Sequence, residues 1–309
     1  MKKYLLILGS FWLLMGCESL KQEVDPGKLN EEVQKLVVAC FISPQDTLLT
    51  ADVRLSRPVL GENIGYNDRV DNATLTLSDE NRSAVFERRS GQYQGQYYYA
   101  IDPKNFPIVA GRRYTLTVQI PDGRKVEAHC TVPAPVVADR IVFDSIPTFK
   151  NGFSGTDYFV RLYWQDPAGQ PNFYRVAGTF SYLSKRPDYP NAPEPSWAQN
   201  LLDFRRNEDT RDLVDDRQRD GEVLGSSRGF VSLYGGNPQG AFQYLDKATI
   251  TVDLLHVDAN YFQYHQAVQQ QSQASGNPFA EPVLVPGNIQ GGLGCFGAYN
   301  RTQLSVDLK

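Results

Sequence analysis

Arg113-Tyr114-Thr115-Leu116-Thr117-Val118-Gln119-Ile120-Pro121-Asp122-Gly123-Arg124-Lys125-Val126-Glu127-Ala128-His129-Cys130-Thr131-Val132 decides the fold. Tyr114, Leu116, Val118 and Ile120 fall on one face, and Arg113, Thr115, Thr117 and Gln119 on the other. That period of two is a half-buried strand. Pro121-Asp122-Gly123 is a turn, because proline presets one dihedral and glycine accepts a positive φ. Val126, Ala128, Cys130 and Val132 then return on the apolar face. The stretch predicts an antiparallel hairpin with one side in a core and the other in water.

Working outward, the same alternation recurs upstream. Leu36 to Ile42 is a first strand; Leu49, Ala51, Val53 and Leu55 alternate with polar residues, as do Ala73, Leu75 and Leu77. Val85-Phe86 and Tyr97 to Ala100 are further strands. Short strands with turns between them predict an immunoglobulin- or fibronectin-like β-sandwich over residues 34–135. Val132-Pro133-Ala134-Pro135 is its exit, since two prolines cannot continue a ladder.

Residues 136–309 predict a second β-rich unit. The unit begins near Asp139; Phe159 to Gln165 is a strand, Asp166-Pro167-Ala168-Gly169 a turn and Phe173 to Leu183 a long return strand. Residues 184–247 lose their period and read as long loops with short strands, where function concentrates. Ala248 to Leu255 is a strand. Asp258 caps a short helix over residues 258–273 whose Tyr261, Tyr264, His265 and Val268 share a face. Segments around Cys295 to Ala298 and Leu304 to Leu308 close the pattern. The fold class is mainly β: tandem antiparallel sandwich-like units with one short helix near the C-terminus.

The amino end has a different character. Lys2 and Lys3 precede the apolar run Tyr4 to Met15, which is too short to span a bilayer. Residues 1–16 read as a signal peptide. Leu14-Met15-Gly16-Cys17 resembles a bacterial lipobox, with cleavage before Cys17 and lipid on its thiol. Residues 17–33 are a polar tether to the first domain.

Composition narrows the function classes. The chain has 309 residues, 41% apolar and 21% charged, so it can build cores and is not of disordered composition. Its formal charge is −4, and removing Lys2 and Lys3 makes the mature chain more acidic still. No basic tract points to nucleic acid. Seventeen Tyr and sixteen Phe against two Met suit strands. Export would place Cys40, Cys130 and Cys295 where disulfides persist. Cys40 and Cys130 are candidates for a pair; the alternative is three buried thiols acting as small apolar groups.

Candidate chemistry is sparse. Gly225-Ser226-Ser227-Arg228-Gly229 fits the G-x-S-x-G pattern, which needs Ser227 on a strand-to-helix elbow. No parallel α/β pattern surrounds it. His129, His256 and His265 have no metal-ligand spacing, and no cofactor or metal is expected. Asp209, Asp212, Asp215, Asp216 and Asp220 miss the spacing of a calcium loop and interleave with Arg211, Arg217 and Arg219. Gly291-Gly292-Leu293-Gly294 lacks the Lys and Ser/Thr of a phosphate loop and reads as tight strand packing. Tyr97-Tyr98-Tyr99 must place rings on both faces of its strand, which leaves an outer ring available for sugar or protein.

Several of these stretches together resemble a known family. They are Lys35-Leu36-Val37-Val38, Tyr114 to Val118 before its turn, Asp166-Pro167-Ala168-Gly169 with Asn172-Phe173-Tyr174, Asn277-Pro278-Phe279-Ala280-Glu281-Pro282, and Asn288 to Tyr299. With these the chain is similar to the uncharacterised Bacteroidetes outer-membrane lipoprotein family known as domain of unknown function 4249. The resemblance covers nearly all of the mature chain. It implies an outer-membrane lipoprotein, often encoded beside TonB-dependent receptors, and transfers no catalytic or binding residues. Members commonly carry other residues at the positions of Cys40 and Cys295, so these belong to no shared mechanism.

The resulting expectation is a non-enzymatic outer-membrane lipoprotein, anchored through Cys17, serving as accessory partner of a TonB-dependent receptor in nutrient uptake. The alternative is a surface adhesin or glycan-binding lipoprotein; a hydrolase built on Ser227 ranks third. Which face of the outer membrane it occupies stays open. Partner contact is expected on the second unit, with residues 184–247 contributing.

Overall fold

Strand β1 (Leu36–Ile42) turns Leu36, Val38, Cys40 and Ile42 inward and Val37, Ala39 and Phe41 outward. The computed structural model describes residues 34–57, 68–91, 97–150, 152–185, 194–206, 211–232, 245–274, 281 and 283–308. The lipobox, Cys17, Asp209 and Asn277 to Ala280 lie outside the described residues.

Seven further strands follow in the first half: β2 (Leu49–Leu55), β3 (Thr74–Ser78), β4 (Ser83–Val85), β5 (Glu87–Ser90), β6 (Tyr97–Ile101), β7 (Arg113–Gln119) and β8 (Lys125–Thr131). The β7–β8 hairpin has the predicted register, with Leu116 opposite Ala128 and Tyr114 opposite Cys130. Gly123 sits at φ 95°, and its N–H donates to the Ile120 carbonyl at 3.1 Å. Strands β4-β3-β7-β8 form one sheet. Its Leu75, Leu77, Tyr114, Leu116 and Val118 share a core with Leu36, Val38, Leu49, Ala51 and Val53. This is a β-sandwich.

The second half carries β9 (Ala138–Lys150), β10 (Phe153–Gln165), β11 (Phe173–Ser184), β12 (Trp197–Leu201), β13 (Leu213–Asp215), β14 (Val223–Gly225), β15 (Gly229–Phe230), β16 (Leu245–Val257), helix α1 (Ala259–Ala274) and β17 (Leu293–Asp307). Val160, Leu162 and Trp164 of β10 meet Tyr174, Val176 and Phe180 of β11 and Ile250, Val252 and Leu254 of β16 in a second core.

One nine-stranded sheet runs through both halves in the order β12-β11-β16-β17-β1-β2-β6-β5, with β13 also on β11. Its joint is β17. That strand pairs parallel with β1, Cys40 beside Phe296, and antiparallel with β16, Val252 opposite Leu304. Phe296 and Ala298 complete the first core, while Leu304 and Val306 pack on the second. Two segments expected at Cys295 to Ala298 and Leu304 to Leu308 are therefore one strand. Lys35–Leu55 with Arg69–Lys309 form a single compact unit. The proline exit still marks where the cores change hands: Val132 belongs to the first and Val136 to the second.

Glycines at the entry to β17 allow this joint. A Cβ at Gly292 would lie 2.7 Å from the Leu36 carbonyl oxygen, and Gly294 takes φ +103° with its missing Cβ directed at the Val38 carbonyl. Asn288 locks the approach. Its Nδ2 donates to the carbonyls of His129 (2.9 Å) and Phe296 (2.8 Å), and its Oδ1 accepts from Phe296 N at 2.9 Å.

Helix α1 starts one residue later than expected, with Asp258 as its cap: Oδ1 accepts from Tyr261 N at 2.8 Å. Its buried residues are Tyr261, Phe262 and Ala267, whereas Val268 is exposed. Phe262 packs on Phe173 of β11 at 4.9 Å between ring centroids, which turns the buried stripe away from Val268.

Residues 184–247 are not free loops where they are described. Leu202, Phe204, Leu213, Leu224 and Phe230 are buried, and short strands β12 to β15 attach to β11 and β10. Strands of two to five residues carry too few positions to display a period.

Candidate functional site

The outer face of the joint sheet holds a depression of about 420 Å³. Its floor is made by Ala39 of β1 and Thr50 of β2, small side chains on adjacent strands. Large rings flank them. Tyr299 of β17 and Phe41 of β1 stand on one side and Tyr98 of β6 on the other. Phe41 is held by α1, with ring centroids 5.1 Å from Tyr261 and 5.0 Å from His265. Tyr98 is the outward ring of the Tyr97 to Tyr99 run, while Tyr99 is buried and donates to the Val70 carbonyl at 2.8 Å.

Two carboxylates complete the rim. Asp46, in the β1–β2 connection, accepts from the Tyr299 hydroxyl at 2.5 Å. Burial pushes the Asp46 carboxyl above its ordinary range, and the Tyr299 and Ser43 hydrogen bonds and the Arg301 charge oppose that. Asp52 accepts from Arg54 Nε at 2.5 Å and faces Arg69 Nε at 3.9 Å. Gln45 braces the connection, donating to Asn300 Oδ1 at 2.8 Å and accepting from Arg301 N at 2.9 Å.

A second polar group lies between β10–β11 and the segment after β13. Asp166, Asp216 and Asp220 bring carboxylate oxygens within 4.8 Å of one another, a set able to hold a cation. Asp166 and Asp216 are buried and Asp220 is exposed. Each is already engaged. Asp166 accepts from the Tyr174 hydroxyl at 2.5 Å and from Gly221 N at 2.9 Å; Asp216 accepts from Asn172 N at 2.8 Å; Asp220 accepts from Gly169 N at 2.9 Å. The arrangement laces two turns together. Sequence reading found Asp216 and Asp220 but not Asp166, which only tertiary folding brings to them.

The other aspartates of that run separate. Asp215 pairs with Arg217 at 2.9 Å. Asp212 joins Arg175 (3.1 Å) and Gln269 (2.8 Å), tying β11 to α1. Asp209 is outside the described residues.

The remaining sequence candidates are not assembled into one site. Ser227 Oγ accepts from Arg211 N at 3.0 Å and donates to the Arg211 carbonyl, while Ser226 Oγ accepts from Leu162 N at 3.0 Å. Both serines pin their segment to its neighbours. His129 meets Thr115 Oγ1 at 2.9 Å on β8; His256 meets the Ala134 carbonyl at 2.7 Å on β16; His265 lies among rings on α1. Burial lowers His256 and brings His265 down to about 4, with Arg175 adding to the latter. Cys40, Cys130 and Cys295 are free buried thiols, raised by burial, and the candidate Cys40–Cys130 disulfide is not formed.

No curated protein matches the chain. Residues 21–305, nearly its whole length, match the family described as Domain of unknown function (DUF4249), and the chain belongs to that family.

Proposed function

We propose that the protein is a non-enzymatic lipoprotein of the outer membrane, held by lipid on Cys17, acting as accessory partner of a TonB-dependent receptor in nutrient uptake. The address rests on the Leu14-Met15-Gly16-Cys17 lipobox. Two acyl chains suffice for stable anchorage where one does not. The observation that carries the partner reading is edge strand β12. It ends the nine-stranded sheet and presents Trp197 (61% exposed) and Leu201 (78% exposed) outward. An edge with exposed apolar side chains is a template for another chain. It also lies within the 184–247 segment.

Purification of the native lipoprotein in mild detergent tests the reading. A receptor should accompany the wild type and be lost on Trp197→Lys with Leu201→Glu, while Cys17→Ser should release the protein from membranes. Recovery without any transporter would sink the receptor role, and a Cys17→Ser protein as firmly bound as wild type would sink the anchor. A surface adhesin or glycan-binding lipoprotein is the second reading, supported by the ring-flanked depression; binding to glycans without a receptor would favour it.

A further inference from the structure

The depression between Tyr299–Phe41 and Tyr98 is selective in its chemistry. At about 420 Å³ it is of the size that takes a small molecule. Three rings offer apolar faces, and Asp46 and Asp52 offer hydrogen-bond acceptors. A purely apolar ligand would strip water from both carboxylates without replacing it. An anion would meet those same carboxylates. A cation would meet Arg54 and Arg69 beside Asp52, and Arg301 acting on Asp46. A neutral polyhydroxylated ring satisfies every wall, since its C–H face covers an aromatic ring and its hydroxyls donate to the acceptors.

We propose that this depression binds a neutral saccharide, seated against Phe41, Tyr98 and Tyr299 with its hydroxyls donating to Asp46 and Asp52. Apart from Asp46, whose connection Gln45 braces, the site is built on strands of one sheet, so its geometry is set before ligand arrives. Small residues on the floor, Ala39 and Thr50, are what leave the room. The proposal rests on the glycan-binding reading and names its site and ligand class; it is independent of the receptor reading, since saccharide capture needs no transporter and loss of co-purification leaves it untouched.

The test uses the full chain in mild detergent, titrated calorimetrically with neutral gluco-, manno-, xylo- and galacto-oligosaccharides and with charged oligogalacturonate and chitosan oligomers. At least one neutral series should bind. Tyr98→Ala should weaken it tenfold or more. Thr50→Trp, at an exposed position, should fill the floor and abolish it. Both variants should keep the wild-type melting temperature, and binding by Thr50→Trp alone is decisive if Tyr98→Ala melts early. The proposal is overturned if no neutral oligosaccharide binds at millimolar concentration, if charged oligomers bind more tightly, or if binding survives Thr50→Trp.

Discussion

Gly294 of β17 and Val38 of β1 approach so closely that the Val38 carbonyl oxygen occupies the place where a side chain on Gly294 would start. The contact is backbone against backbone, so nothing flexible can yield. Gly294 also sits at φ +103°, where other residues are strained by about 1–3 kcal/mol.

Gly294→Ala should therefore destabilise the protein by at least about 3 kcal/mol, strain and displacement of β1 acting together. Thermal unfolding checks this against Gly111→Ala. Gly111 has a positive φ too, but open space around it, and should cost less. Equal losses would mean that strain alone matters at Gly294.

Asn288→Ala removes three hydrogen bonds that join β8 to β17. A net loss of about 2–4 kcal/mol is expected, at about 1 kcal/mol per bond with a penalty for buried groups left unpaired. Urea denaturation should show a lower midpoint with unchanged slope. A changed slope would indicate that β17 detaches in the folded state.

Asp258 gives a pH signature. Burial raises its carboxyl to about 7, against backbone N–H donors that include Tyr261 and Ala298. The unfolded value is about 4. The folded state holds the proton more tightly, so this stabilisation is full below pH ~4 and is lost as pH rises through the folded value. His256 and His265 act in the opposite sense, since lowered histidines lose stabilisation as pH falls from about 6.5. Asp258→Asn isolates the carboxylate: the melting temperature of the variant minus that of wild type should increase from pH 4 to pH 8. A flat difference would refute the raised value.

Asp166→Ala leaves the Tyr174 hydroxyl and the Gly221 N–H without acceptors. An unpaired buried donor costs about 1–3 kcal/mol and the part-buried Gly221 N–H less, so a loss of about 2–4 kcal/mol is expected by chemical denaturation. A loss below about 1 kcal/mol would show that water replaces the carboxylate.

How legible these features were depends on the range of the interaction behind them. The β7–β8 hairpin could be read to the residue because alternation and the Pro121-Asp122-Gly123 turn are local. The start of α1 was legible for the same reason: Asp258 caps the residues that follow it. The β1–β17 joint was not, since no local signal says which strand a parallel partner will be; glycine at 292 and 294 signalled close packing without naming its object. Strand β9 is not legible as a strand, and β10 only from Phe159 onward, because exposed apolar positions such as Phe149 erase the alternation. For the depression, sequence offered an outer ring within Tyr97-Tyr98-Tyr99 without saying which, and not Phe41, Asp46 or Tyr299, which come together only in the fold.

The parallel pairing of β1 with β17 also sets an order of events. Synthesis runs from the amino end, so β1 and β2 emerge early and wait for a neighbour that comes only after the whole intervening chain. Until then the first core lacks Phe296 and Ala298, and β1 offers an open edge to any passing strand. Such long-range closure is slow and leaves a nascent chain exposed to mispairing. The edge of β1 is therefore sealed only by the last strand of the chain to appear.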